Sequence, residues 1–321
     1  MPAPLPTLAV LERAATIVYS GMLPTPQCRW PLLDEALGAR VWVKHENRAP
    51  LGAFKVRGGL VYFHDLASDG PAPAGVICAT RGNHGQSVAF AARRYGLPAT
   101  VVVPRGNGHG KNAAMRALGA DLVEHGDDFQ DALERAFELA DRRGLHMVPS
   151  FHPRLVQGVA SWALELMREA HDIEVLYVPI GLGSGICGAI AAREALGRRM
   201  QIVGVVSAGA PAYARSFERR QPIECPARTA LADGLACRKP EPMALDVILA
   251  HVSRVVEVTD QHVADAMRLL FGSTRHVIEG AGAAGVAAML REKPRNSGRA
   301  VATVLCGGNV DESLFAQVLA E

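Results

Sequence analysis

The residues best suited to chemistry in this chain surround one lysine, in Gly52-Ala53-Phe54-Lys55-Val56-Arg57-Gly58-Gly59. A lysine set between Phe54 and Val56 is poorly placed to act as ordinary surface charge. Burial disfavours the ammonium form and leaves a free amine. A free amine is a nucleophile that condenses with an aldehyde to an imine. A lysine that extends its charged head out of a half-buried element would use the same eight residues. A second segment, Gly181-Leu182-Gly183-Ser184-Gly185, follows the apolar run 174–180 and leads into a helix pattern. Glycines let backbone N–H groups approach an anion, and a helix N-terminus favours negative charge, so this reads as a phosphate site to which Ser184 adds a hydroxyl. Two other readings stand beside it. One is a strand-to-helix turn with no ligand. The other is a dinucleotide fingerprint, since Gly183, Gly185 and Gly188 meet the G-x-G-x-x-G spacing. Against the fingerprint, the next strand, 201–207, ends in Ser207 where a ribose would want an acid, and Lys55 would have no task.

Two further segments close strands. Thr80-Arg81-Gly82-Asn83-His84-Gly85 lies between a strand and a helix, where ligands sit in open parallel sheets. Its amides and the Thr80 hydroxyl suit a carboxylate, and Asn83 and His84 would serve equally as helix caps. Cys306-Gly307-Gly308-Asn309 ends the apolar run 301–305, and Cys306 alone reads as a small buried residue.

The elements that must position these segments alternate. Residues 8–20 have helical spacing, and 40–45 form a short β-rich run. From residue 75, strands are expected at 75–79, 99–103, 122–123, 146–148, 175–180, 202–206, 255–258 and 300–305. Helices are expected at 86–95, 111–118, from a cap at Asp127 to 143, and at 155–169, 186–196, from a cap at Asp260 to 270, 281–290 and 311–319. Such alternation implies βαβ units and a parallel sheet. Residues 208–245, with five prolines and no period, read as a loop-rich excursion.

Composition bounds the partners. The 321 residues carry 34 Lys plus Arg against 32 Asp plus Glu, a net charge of +2, which gives no footprint for nucleic acid. No apolar stretch is long enough to span a membrane, and Met1-Pro2-Ala3-Pro4 does not open a secretory signal. The six cysteines form no CxxC pair, so they are expected reduced, as in the cytoplasm. The eleven histidines show no HExxH spacing.

Four ordered segments, Lys44-His45-Glu46-Asn47 with 52–58, then 80–85, 181–185 and 306–309, resemble the threonine/serine dehydratases, pyridoxal-phosphate enzymes of fold type II. The resemblance implies an α/β fold of two domains with open, mostly parallel twisted sheets flanked by helices. Residues 1–72 plus 149–321 would form the large cofactor-binding domain, and 73–148 a small inserted one. It implies that Lys55 carries pyridoxal 5'-phosphate, that Phe54 packs beside its ring, and that Gly181, Leu182, Gly183, Ser184 and Gly185 hold its phosphate. Here Leu182 and Ser184 interrupt the family's four glycines. By the same resemblance Thr80, Arg81, Gly82, Asn83 and His84 bind the substrate carboxylate, and Asn83 also meets the ring hydroxyl. Cys306 faces the pyridine nitrogen, where a thiol does not hold that nitrogen protonated, which suits elimination. Glu279, in Glu279-Gly280-Ala281-Gly282, lies near the ring or simply begins a helix. Ser207, Pro211 and Tyr213 replace the acidic ligands of metal-dependent relatives, so no metal is expected there.

The implied activity is that of a pyridoxal-phosphate-dependent ammonia-lyase, taking L-threonine to 2-oxobutanoate and ammonia, or L-serine to pyruvate and ammonia. Arg81 departs from the family, which usually has a small residue there. Arginine stays protonated and is a poor base, which argues against racemisation through this position and keeps an acidic substrate such as a 3-hydroxyaspartate open. The other classes are a racemase on the same cofactor, an NAD-dependent oxidoreductase, and a non-catalytic ligand-binding relative. The chain ends soon after the last motif, so end-product control through a C-terminal regulatory domain is not expected. A homodimer or higher homo-oligomer is the family's habit.

Overall fold

Ten strands account for the apolar runs, and the computed structural model describes residues 4–320. They are β1 (Gln27–Arg29), β2 (Arg40–Lys44), β3 (Val76–Ala79), β4 (Ala99–Val103), β5 (Asp121–Glu124), β6 (His146–Met147), β7 (Val175–Pro179), β8 (Gln201–Ser207), β9 (Arg254–Val258) and β10 (Ala300–Val304). One sheet has the order β1-β2-β10-β7-β8-β9, and the other β5-β4-β3-β6. Among the described strands only β1 runs antiparallel, to β2. The continuous runs Val-Ile-Cys-Ala, Ala-Thr-Val-Val-Val and Ala-Val-Ala-Thr-Val are buried at every position, as strands covered on both faces require.

β10 enters last and lies between β2 and β7, parallel to both. The chain ends of β2, β7 and β10 therefore meet at one edge of the six-stranded sheet. Thr303 lies inside this sheet and donates to the Tyr177 carbonyl at 3.0 Å, so the buried hydroxyl is satisfied. The core around the four-stranded sheet also takes Tyr62, Phe63 and Leu155, from helices on either side of it in sequence.

Several expectations change. The helix Phe129–Arg143 is capped by Asp128, whose carboxylate accepts from the Gln130 and Asp131 amides, and not by Asp127. Thr259, not Asp260, caps the helix Asp260–Thr274, in a capping box with His262. Residues 208–245 contain the helix Ala212–Arg219 and the start of Pro242–His251; their length is too short for a period to show. The edge strand β1, the helix Pro31–Leu37 and the helix Lys55–Ser68 were not evident from spacing. In the last, Gly58-Gly59 weakens the helical signal. Those glycines serve packing. A Cβ on Gly58 would lie 2.8 Å from the Leu155 carbonyl, and one on Gly158 would run into that of Arg57. The helices Lys55–Ser68 and Pro153–Glu169 thus cross backbone to backbone.

Candidate active site

Lys55 is the first residue of its helix, held at both ends of its own peptide. The Phe54 amide donates to the Cys306 carbonyl at 3.1 Å, and the Ser87 hydroxyl donates to the Lys55 carbonyl at 2.7 Å. Ala53 bridges to Gly307. The lysine therefore sits where β10 and the helix Asn83–Arg94 meet. Its Nζ is 3.2 Å from Ser184 Oγ and 5.1 Å from the centre of the Phe54 ring. Desolvation lowers its pKa from 10.5 to about 8, against the opposing pull of Cys306 and Glu279.

Below this helix lies a buried ion cluster. Arg57 Nε donates to Glu46 Oε2 at 2.7 Å, and its Nη1 to Glu165 Oε1 at 2.6 Å and Ser161 Oγ at 2.8 Å. Lys44 Nζ meets Glu165 Oε2 at 2.5 Å, and Thr25 donates to Glu46 at 2.5 Å. The side chains of Arg57, Glu46 and Lys44 are wholly inaccessible. Burial alone would raise the Glu165 carboxyl, but Arg57 and Lys44 hold it below the usual range. Two cations and two carboxylates balance, and they tie the start of the lysine helix to β2 and to the helix Pro153–Glu169.

The loop 181–185 leaves β7 and enters the helix Ser184–Ala195. Gly183 adopts φ +102°, and a Cβ there would be 2.6 Å from that of Ala244, so glycine is required. Ser184 is buried with its hydroxyl toward Lys55. Gly185 faces Phe54, at 3.6 Å from ring to the position of a Cβ. Gly188, the third glycine of the dinucleotide spacing, packs instead on the backbone of Ala160, 3.0 Å from where its Cβ would be. Its place in that pattern has a packing cause.

Opposite, Thr80 Oγ1 accepts from the Gly82 amide at 2.9 Å and the Gly85 amide at 3.3 Å, so the hydroxyl shapes its own loop and keeps its proton free. Asn83 and His84 begin the helix Asn83–Arg94 without capping it. Asn83 Nδ2 donates to Glu279 Oε1 at 2.9 Å, and its Oδ1 accepts from Asn309 Nδ2 at 2.8 Å. These partners fix the amide's orientation and leave one N–H of Asn83 to give. His84 is buried, with Nε2 unpartnered and its pKa driven by desolvation down to about 3, hence neutral. Glu279 is buried with Oε2 unpartnered, and desolvation raises its carboxyl to about 7. Gly307 makes room for it, since a Cβ there would strike Glu279 Oε1. The Cys306 thiol is buried, and desolvation pushes it far up, so it is neutral.

The structure thus brings Lys55, Phe54, Ser184, Asn83, Glu279 and Cys306 to the carboxyl ends of β3, β7 and β10. Arg81 is exposed and makes no ion pair among the described residues. Sequence reasoning missed Asn309 as an orienting partner, and also Lys111, whose Nζ meets Asp233 at 2.5 Å and whose stem lies beside Gly82. Lys111, on the helix His109–Ala117, and Asp233 lie 122 residues apart, and no local pattern announces a pair separated by that much chain. Among the described residues no group of three or more His, Cys, Asp or Glu could hold a metal, and no helix is long and apolar enough to cross a membrane.

Comparisons with known proteins agree on a family. The family model described as pyridoxal-phosphate dependent enzyme matches residues 18–307. An L-threonine ammonia-lyase of Thermotoga maritima is 34% identical over 289 residues, covering 90% of this chain and 72% of its own. A solved threonine deaminase, its source abbreviated T.th., is 31% identical with a TM-score of 0.87, over 95% of this chain and 99% of that one. A pyridoxal 5'-phosphate-dependent aspartate racemase is 27% identical with a TM-score of 0.91, over 99% and 100%.

Proposed function

The chain belongs to the pyridoxal-phosphate-dependent enzymes, in the threonine/serine dehydratase family of fold type II, and from that premise we propose that it converts L-threonine to 2-oxobutanoate and ammonia, and L-serine to pyruvate and ammonia, the water lost in the elimination being taken up again in the hydrolysis that frees ammonia. The observation that carries the reading is the desolvated Lys55 amine 3.2 Å from Ser184 Oγ, at the mouth of a glycine loop.

Three observations support these residues as the cofactor's holders. Glu279 Oε2 and His84 Nε2 are buried polar atoms without partners beside Lys55. The Asn83 amide is oriented with one N–H to spare. Loop 181–185 needs glycine at 183 and faces Phe54 at 185. When bound, pyridoxal phosphate supplies an aldehyde for amines and a conjugated ring that takes up the electrons of the broken Cα–H bond. Lys55 accepts the α-proton at Nζ, with Ser184 Oγ as its hydrogen-bond partner. Asn83 would give its spare N–H to the bound cofactor, and the neutral Cys306 thiol would supply no charge to fix a proton on its ring. Loop 80–84 binds the substrate carboxylate through the Arg81, Asn83 and His84 amides and the free Thr80 proton. Ketoacid release from a panel of amino acids tests the proposal; a purified holoprotein that releases none from threonine or serine would sink it.

The amine's depressed pKa sets a pH dependence. Uptake of pyridoxal phosphate by apo-protein needs the free amine, so its rate should rise with pH and reach half its plateau near pH 8, not near the ordinary 10.5. Stopped-flow absorbance across pH 6–10 (roughly two units either side of that midpoint) checks it.

Arg81 supports a second reading, an acidic hydroxy-amino acid as substrate. It is an exposed guanidinium without an ion-pair partner among the described residues, next to Thr80 in the carboxylate loop. Arg81→Ala should then lower kcat/KM for a 3-hydroxyaspartate relative to threonine by about 10- to 100-fold, the worth of a charge-assisted hydrogen bond. An unchanged ratio would remove this reading and leave the first intact.

A further inference from the structure

We propose that the Tyr213 hydroxyl is a clasp that fixes loop 181–185 in its phosphate-binding shape, which makes Tyr213 a positioning residue for the cofactor. The inference rests on loop 181–185 being the phosphate site. Tyr213 lies on the helix Ala212–Arg219 and is 1% exposed. Its hydroxyl donates to the Leu182 carbonyl at 2.9 Å and accepts from the Glu241 amide at 3.0 Å. Both roles of the group are filled, and both partners are backbone. The loop is thereby joined to Glu241, which opens the helix Pro242–His251, and the same helix sets Ala244 against Gly183. A Cβ on Gly183 would lie 3.3 Å from the Tyr213 hydroxyl, so the tyrosine also floors the turn.

The geometry of a peptide gives this contact its consequence. A trans peptide points its C=O and the following N–H in opposite directions. Holding the Leu182 carbonyl on Tyr213 turns the Gly183 amide the other way, away from the tyrosine. Among the described residues the amides of Gly181, Leu182, Gly183, Ser184 and Gly185 donate to no backbone or side-chain acceptor. Five successive free donors at the start of a helix make an anion cradle only while the turn keeps its shape. Leu182 and Ser184 stand where four glycines would give a softer loop, so a hydroxyl that pins this turn pre-organises the site before any ligand arrives.

The test compares ligands with and without the phosphate. Apo-protein and its Tyr213→Phe variant are titrated with pyridoxal phosphate, pyridoxal and inorganic phosphate, with circular dichroism confirming the fold. The variant should bind pyridoxal phosphate and inorganic phosphate about tenfold more weakly, and pyridoxal within about twofold of the unmutated protein. Equal losses for pyridoxal phosphate and pyridoxal, or no loss at all, would overturn the clasp. If the unmutated protein itself shows no preference for pyridoxal phosphate over pyridoxal, the phosphate assignment of loop 181–185 falls first. Hydrogen exchange on the unmutated protein gives a reading that no misfolded variant can spoil. The Glu241 amide should be slowed by inorganic phosphate and not by pyridoxal; equal protection by both, or by neither, counts against the clasp.

Discussion

Lys55→Ala is expected to remove the elimination activity, lowering kcat by roughly four orders of magnitude, the upper range for loss of one positioned proton-transfer group. In the proposed reaction the lysine does two jobs, holding the cofactor and moving the α-proton, so a conservative Lys55→Arg should fare no better. Arginine stays protonated and offers no free amine. The structural reason for so large an effect is that, among the described residues, no second amine is poised to substitute. Lys111 is engaged by Asp233, and despite its burial Asp233 and Glu279 keep it charged. Borohydride reduction of the holoprotein followed by peptide mass spectrometry gives the independent readout. The adduct should be found on Lys55 in the unmutated protein and be absent from the alanine variant. An adduct on another residue would overturn the assignment of this site.

Glu46→Leu should cost about 3–5 kcal/mol of stability, because Arg57 would keep its charge in a place water cannot reach. For a chain of this size that is a fall in Tm of roughly 4–7 °C. Thermal melting by circular dichroism measures it. The paired replacement Glu46→Leu with Arg57→Met should recover most of the loss, since exchanging a buried ion pair for apolar groups is often neutral. Lys44 would still neutralise Glu165 at 2.5 Å in that double variant. A single replacement as stable as the parent would show that water reaches the cluster. The same cluster predicts acid sensitivity. The Glu165 carboxyl is held below its ordinary range, so its contribution is present above that range and is lost as the pH falls through the lowered value.

Much of the site was legible because its residues come in short runs at the ends of strands. The apolar strand before 181–185 and the one before 306–309 both announce a ligand-facing turn, and both turns meet at one sheet edge. Lys55 stood out because a charge between Phe54 and Val56 conflicts with its surroundings. Its helix did not stand out, since Gly58 and Gly59 are poor helix formers whose use is a close helix crossing. The Asp127 and Asp260 caps missed by one residue because adjacent polar residues, Asp128 and Thr259, offer the same chemistry. What local reading could not supply was every long-range polar partnership. Glu279 with Asn83, Asn309 with Asn83, and Tyr213 with Leu182 and Glu241 depend on segments far apart in sequence reaching their final places in the fold.

The placement of β10 has a consequence for how the molecule is made. Its two neighbours in the sheet, β2 and β7, leave the ribosome long before it does, and neither pairs with the other. Until residue 304 emerges, the nascent polypeptide carries two fragments of sheet with bare facing edges, a condition that invites mispairing between chains. Cys306 and Asn309 follow directly behind that strand, so completion of the pocket coincides with the closing of the sheet. Ribosome-stalled chains halted before Ala300 should therefore acquire no cofactor and should lean on chaperones.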